Sequence, residues 1–347
     1  YDLKNGLEKL SSNHSDYLHF PDIYFFQPQF VILSRKQQVE IHYLDDLTSD
    51  DARTIIQEIR NTPDVESSEV KDNIHMNARF DRKTYLETVK QLKRHIKRGD
   101  IYEVNFCQEF YSWSAIDPYF TFNQLNQLSP APFASFYRLG DKYLMSSSPE
   151  RFLRKRGNKV ISQPIKGTVS RGRTVEEDDK LKEQLAKDVK ERAENVMIVD
   201  LVRNDLSRTA RLNSVNVEEL FGIYSFEQVH QMISTVSAEI EEKNTIACLK
   251  HAFPMGSMTG APKIRAMELI EQYERSKRGL YSGSVGYFTP EGDFDFNVII
   301  RSILYNATKN FVSYSVGGAI TYLCNAEDEY EECMVKAKAM NQVLNQT

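Results

Sequence analysis

The chain has 347 residues, 41% hydrophobic and 27% charged, the balance of a globular protein large enough to bury an extended core. A formal charge of −5 argues against general affinity for nucleic acid, and no run of about 18 apolar residues is present to span a membrane. The four cysteines, Cys107, Cys248, Cys324 and Cys333, have no CxxC spacing, so a zinc cluster is unsupported; with no basic-then-apolar leader at Tyr1, the chain reads as cytoplasmic with reduced thiols.

Residues 1–43 read as loops and short strands, with Tyr24 to Phe26 and Phe30 to Leu33 as apolar runs of strand length. Residues 44–78 are acidic and polar, carry a helix near Asp51 to Arg60, and read as a mobile connection. The patterned body begins at Phe80. Tyr85, Val89, Leu92 and Ile96 recur at helical spacing up to Gly99, which suits the left-handed turn that stops a helix. The basic run Lys93, Arg94, His95, Lys97, Arg98 lies on this helix and reads as a solvated face. A strand follows in which Tyr102, Val104, Phe106 and Phe110 alternate with Glu103, Asn105, Cys107 and Glu109, so Glu103 and Asn105 point the same way. Further strands are expected at 142–147, 158–163, 283–288, 294–305 and 311–316, with a hairpin turn from Thr289 to Asp293. One helix starts at a Thr174–Glu177 capping box and carries Leu181, Leu185, Val189 and Ala193 toward Glu194. Another begins after Gly260 and Ala261 with Pro262 in its first turn, and a last one runs from about Glu327 with Glu329, Glu332 and Lys336 on one side.

Five clusters could carry chemistry. Glu150, just past a strand end beside Pro149, could be a general acid or a turn glutamate paired with an arginine. Lys166, between Ile165 and Gly167, could be a nucleophile if its apolar neighbour lowers its pKa, or an ordinary surface lysine. Glu194 and Glu332, far apart in sequence, could meet and hold Mg²⁺ through oxygen; equally, Glu332 could simply pair with Lys336 four residues on. The fifth cluster is a set of carboxylate-binding elements: Gly260 at a helix start, Gly317 and Gly318 after a strand, and Arg301 within one. Each glycine could also be only a turn former.

Taken in order, Gly99 to Phe110, Ser147 to Phe152, Pro164 to Thr168, Glu194 to Asp205, Gly260 to Lys263, Tyr281 to Gly286, Asn297 to Arg301 and Glu329 to Lys336 resemble the chorismate-utilising enzymes. The resemblance covers roughly residues 80–343. It implies an α/β (α+β) fold of two large, mostly antiparallel sheets packed face to face with helices outside. Residues 1–78 would form the end of a smaller N-terminal subregion plus a polar connection, and 79–347 the chorismate-binding catalytic region, both packed as one globular unit. It further implies Mg²⁺ on Glu194 and Glu332, with Tyr281, Arg301, Gly317, Gly318, Lys336 and Thr259 binding substrate. Glu150 would be the acid that protonates the departing C4 hydroxyl.

Within the family, the water-adding isochorismate and salicylate synthases carry a lysine where this chain has Glu103. Anthranilate synthases usually have alanine where it has Lys166. The lysine is the mark of the aminodeoxychorismate synthases. It implies Mg²⁺-dependent amination of chorismate at C4, with the pyruvyl group kept, on the way to 4-aminobenzoate and folate. No Cys sits in a nucleophile-elbow setting, so ammonia is expected from a separate glutamine amidotransferase subunit. The alternatives are an anthranilate synthase component I and a non-catalytic chorismate-binding scaffold subunit. Two positions depart from the family pattern: Glu103 replaces the usual glutamine, and Asn325, Ala326, Glu327 replace an Asp-Ser-Asp lead-in.

Overall fold

The computed structural model describes residues 1–36, 38–63, 74–227 and 229–345. They divide into two compact units, Ile23–Glu69 and the union of Tyr1–Asp22 with Val70–Thr347. The larger unit opens with the single-turn helix α1 (Lys4–Leu7). The smaller unit holds an antiparallel hairpin, β1 (Phe30–Arg35) and β2 (Gln38–Tyr43), in which Phe30 lies opposite Tyr43. It also holds helix α2 (Ser49–Asn61), started by a reciprocal capping box between Thr48 and Asp51. The apolar run Tyr24 to Phe26 is irregular rather than a strand. The stretch 64–73 of the expected connection lies outside the described residues.

In the larger unit the described residues build two antiparallel sheets. The first runs β12 (Gly260–Ala261), β4 (Glu103–Trp113), β16 (Phe311–Ile320), β15 (Ser302–Asn306), β6 (Lys142–Ser148), β5 (Phe133–Leu139), with β3 (Asn77–Ala78) also on β4. The second runs β10 (Asn216–Ser225), β11 (Val229–Glu239), β8 (Lys159–Gln163), β7 (Arg151–Arg156), β14 (Phe294–Asn297), β13 (Gly286–Phe288), with β9 (Ile165–Ser170) also on β11. The helices are α3 (Arg82–Arg98), α4 (Pro118–Leu128), α5 (Val175–Lys187), α6 (Val189–Ser207), α7 (Thr245–Ala252), α8 (Lys263–Tyr273) and α9 (Ala326–Leu344).

The period-2 geometry of a strand sorts β4 into two cores. Val104, Phe106 and Phe110 pack with Tyr85, Val89 and Leu92 of α3, Met267 of α8 and Met340 of α9, the helical layer outside the first sheet. Cys107 turns the other way, into a cluster that Leu144 and Leu304 enter from the first sheet and Leu153, Val160, Val236 and Phe294 from the second. The two sheets thus share a core, and Glu103 and Asn105 lie on the Cys107 side of β4. The four cysteines are free and buried. Among the described residues no helix is long and apolar enough to cross a membrane.

Several expected elements need correction. The helix drawn through Thr174 to Glu194 is two, because Asp188 has extended backbone and uses its carboxylate to accept the Glu191 N–H, closing α5 and opening α6. The strand expected over 294–305 breaks into β14 and β15, which belong to different sheets. Arg301, expected within a strand, sits at the crossing with φ +52°. The strand at 311–316 continues to Ile320, so Gly317 and Gly318 lie inside it, opposite Cys107 and Phe106. Pro262, expected in the first turn of its helix, is the N-cap residue just before α8.

Candidate active site

The most buried charged pair among the expected site residues joins the two sheets. Lys166 on β9 donates to Glu103 on β4, Nζ to Oε1, at 2.7 Å, with the lysine side chain 10% exposed and the glutamate 1%. Burial by itself opposes the lysine's charge. The carboxylates of Glu103, Glu194 and Glu150 outweigh it and hold the ammonium above its ordinary range. This reverses the expectation that an apolar neighbour lowers the Lys166 pKa. The second oxygen of Glu103 is buried with no hydrogen-bond partner among the described residues.

Glu150 sits in the tight link between β6 and β7, where Pro149 stiffens the turn. Its Oε1 accepts from Ser257 Oγ at 2.7 Å, and its main chain is pinned by the Val298 N–H at 3.0 Å. Burial pushes the Glu150 carboxyl up to about 7, opposed by the Ser257 hydrogen bond and the charge of Lys166. A carboxyl poised there can hand over a proton near neutral pH. The arginine of the bland reading, Arg151, is engaged elsewhere: it grips Asp295 at 2.9 and 3.1 Å.

Glu194, on α6, and Glu332, on α9, both feel the charges of Lys166 and Lys190. Lys190, one turn before Glu194, lies 4.0 Å from its Oε1 and 2.9 Å from Glu329 Oε1, and its charge is also felt by Glu332. Burial raises Glu194 to about 7. Burial also raises Glu191 and Glu329. Glu332 feels the same burial, yet Lys336, 2.7 Å away, brings it below the usual range, so the expected i,i+4 pair is real. Lys336 also donates to the Gly317 carbonyl at 2.9 Å, tying α9 to β16.

The other expected substrate-binding residues are placed as follows. Tyr281 is buried, with its hydroxyl 3.4 Å from Cys107 Sγ. Arg301 is buried enough that its guanidinium loses some of its basicity, partly restored by Tyr281 and Glu332 nearby. Gly317 is required by close approach to the β4 backbone, while Gly318 is crowded only by a side-chain end. A Cβ at Gly317 would lie 2.4 Å from Cys107 Sγ, and one at Gly318 2.9 Å from Glu329 Oε2. The Thr259 hydroxyl is already spent on the Met255 and Gly256 carbonyls, at 3.2 and 3.3 Å, while its own carbonyl accepts from Asn105 N–H at 2.8 Å. Its hydroxyl shapes the turn and is not aimed outward.

For a hard divalent cation the donor set fits. Among the described residues no three acidic, His or Cys side chains converge as a ready cage. Mg²⁺ does not need one, since it is usually held by one or two carboxylates with water and substrate oxygens completing the shell. Glu194 supplies a buried oxygen with no hydrogen-bond partner among the described residues, and Glu332, paired with Lys336, feels the charge of the same Lys190 ammonium. The reading from sequence passed over Lys190, Glu191 and Ser257. The signal for the first two was the helical spacing of Lys190, Glu191 and Glu194, which faces that of Glu329 and Glu332; Ser257 carried none.

Residues 1–342 match the family model for chorismate binding enzyme. The chain belongs to that family. It is 42% identical over 269 residues to the aminodeoxychorismate synthase of Streptomyces griseus, covering 77% of this chain and 37% of that one. It is 35% identical over 347 residues to anthranilate synthase component 1 of Thermus thermophilus, covering 98% of this chain and 75% of that one. Its fold superposes on anthranilate synthase component I of Streptococcus pneumoniae with a TM-score of 0.86 at 26% identity, over 98% of this chain and 78% of that one. This chain therefore spans little more than a third of the Streptomyces relative. The fold agrees with the α/β arrangement of antiparallel sheets and outer helices expected from the resemblance.

Proposed function

We propose that this chain is the chorismate-aminating component of an aminodeoxychorismate synthase, taking ammonia from a glutamine amidotransferase subunit. The observation that carries the choice is Lys166, a buried amine whose charge and that of the acid Glu150 act on each other. The 42% identity to the Streptomyces griseus enzyme supports the same reading. In the proposed sequence the Lys166 amine bonds to ring C2 while the C4–O bond breaks, and the Glu150 proton leaves with that oxygen as water. Ammonia then bonds to C4 as the C2–N bond breaks and lysine departs. Glu194 and Glu332 would hold Mg²⁺, which when bound polarises the ring carboxylate. Arg301, Tyr281 and Lys336 would orient the substrate carboxylates. The Gly317 and Gly318 stretch would let substrate approach the backbone closely, and Thr259 would act through the turn it builds. The pyruvyl group stays on the ring, so the product would feed 4-aminobenzoate and folate formation in the cytoplasm.

The test is incubation of the chain with chorismate, Mg²⁺ and an ammonium salt, with products identified by mass spectrometry. Aminodeoxychorismate with pyruvate retained, and loss of turnover at kept chorismate affinity in Lys166→Ala, are expected. Anthranilate with free pyruvate would favour the second reading, to which the Thermus thermophilus relative points. Chorismate bound without turnover would leave the scaffold reading.

A further inference from the structure

The Lys166 reading sets a problem that the geometry answers. A nucleophilic amine must be neutral, yet every carboxylate around Lys166 favours the ammonium. Glu103 faces it from β4, Glu194 and Glu191 from α6, Glu150 from the β6–β7 link and Glu332 from α9. Of these, among the described residues, Glu103 alone is hydrogen-bonded to Nζ. We propose that Glu103 is the proton acceptor that turns the Lys166 ammonium into the attacking amine. The proposal rests on the covalent reading above and adds to it the residue that makes it possible.

Three observations carry it. The acceptor oxygen is 2.7 Å from Nζ, within the reach a general base needs. The glutamate side chain is 1% exposed and the lysine 10%, so the amine is the more accessible member of the pair. Both charges are buried, and moving the proton along their hydrogen bond removes the two together, leaving no uncompensated ion. Among the described residues no other carboxylate is hydrogen-bonded to Nζ to take the proton directly. Ser257 already engages Glu150, and Glu150 must arrive protonated to act as the acid.

The protons balance. Glu103 takes one from Lys166, and Nζ becomes a secondary ammonium when it bonds to C2. Glu150 gives its proton to the leaving oxygen. When ammonia enters at C4 the lysine leaves as a neutral amine and recovers its proton from Glu103. The new C4 ammonium returns one proton to Glu150. The sum is chorismate plus ammonia giving the amino compound plus water. A glutamine in place of Glu103 could donate to and accept from a neighbour but could not keep a proton.

The experiment is the kcat–pH profile of Glu103→Gln with chorismate, Mg²⁺ and ammonium salt, beside native protein, Glu103→Asp and Lys166→Ala. We expect kcat of Glu103→Gln to fall about 100-fold or more at neutral pH with KM for chorismate within about threefold, and to climb with pH as the ammonium loses its proton to solvent instead, levelling above about 7 where Glu150 loses the acid proton. Glu103→Asp, which keeps a carboxylate at longer reach, should lose about tenfold and keep the native profile shape. Native or faster turnover in Glu103→Gln overturns the proposal, because the carboxylate would then be only a counter-ion. If the glutamine variant does not fold, native kcat in Glu103→Asp overturns it equally. Retained turnover in Lys166→Ala is a separate failure, that of the covalent reading itself.

Discussion

The Arg278 guanidinium holds both carboxylate oxygens of Glu274, at 2.9 and 2.6 Å, and both side chains are almost wholly buried. The same guanidinium donates to the Met258 carbonyl at 2.6 Å, the Asn105 carbonyl at 2.8 Å and Ser282 Oγ at 3.2 Å, while Glu274 accepts the Cys107 N–H at 2.9 Å. One ion pair thus ties β4, the turn before Thr259 and the turn after Tyr281. Breaking it by removing one partner leaves a buried charge alone. Arg278→Ala should therefore cost about 3–5 kcal/mol, read from the urea midpoint at unchanged slope. Arg278→Met with Glu274→Leu should cost less than Arg278→Ala, because no lone charge remains.

Glu150 gives a pH prediction with a definite sign. As the acid it works protonated, and its carboxyl lies at about 7. Turnover should hold below that pH and fall roughly tenfold per unit above it. The Ser257 hydrogen bond favours the carboxylate form, so Ser257→Ala should move the falling limb to higher pH. Glu150→Gln should lower kcat about 10²–10⁴-fold and remove that limb. A limb that stays in Glu150→Gln would assign it to another group.

What the sequence disclosed, and what it withheld, follows the range of each signal. The β4 alternation put Glu103 beside Asn105, and the structure keeps them on one face, because strand periodicity is local. The Glu150 turn was legible for the same reason. That Lys166 meets Glu103 across 63 residues, and that Lys190 stands among glutamates from α6 and α9, depends on how sheets and helices close. No local pattern records that. Arg301 was misread because an apolar run before and after it looks like one strand. Only the switch between sheets reveals the left-handed residue in the middle. Strands β10 and β11 were missed because their mix of glutamate, serine and threonine among apolar residues has no clean period.

The metal assignment can be tested apart from turnover. If Glu194 and Glu332 hold Mg²⁺, the ion should tighten chorismate binding, and a chelator should reverse that without unfolding the chain. Glu194→Gln should weaken Mg²⁺ binding about 100-fold, as should Glu332→Gln. Titration calorimetry with Mg²⁺ and chorismate together reads both. Equal Mg²⁺ affinity in the native chain and both variants would remove these two residues from the site.

Gly317 and Gly318 separate a backbone requirement from a side-chain one. A methyl at Gly317 would meet the Phe106 carbonyl at 2.4 Å, as close as the Cys107 sulfur, and the Cys107 Cα at 2.9 Å. The strand that carries Glu103 would have to move. A methyl at Gly318 meets only Glu329 Oε2, the end of a side chain that can turn away at the cost of its 2.9 Å pair with Lys190. Gly317→Ala should therefore lose about 1–3 kcal/mol or more of stability, and Gly318→Ala distinctly less. Cys107→Ala added to Gly317→Ala should not restore the loss, since the carbonyl clash remains after the sulfur is gone. Thermal melts of the three variants decide it: recovery in the double variant would mean that the sulfur, not the backbone of β4, is what demands glycine there.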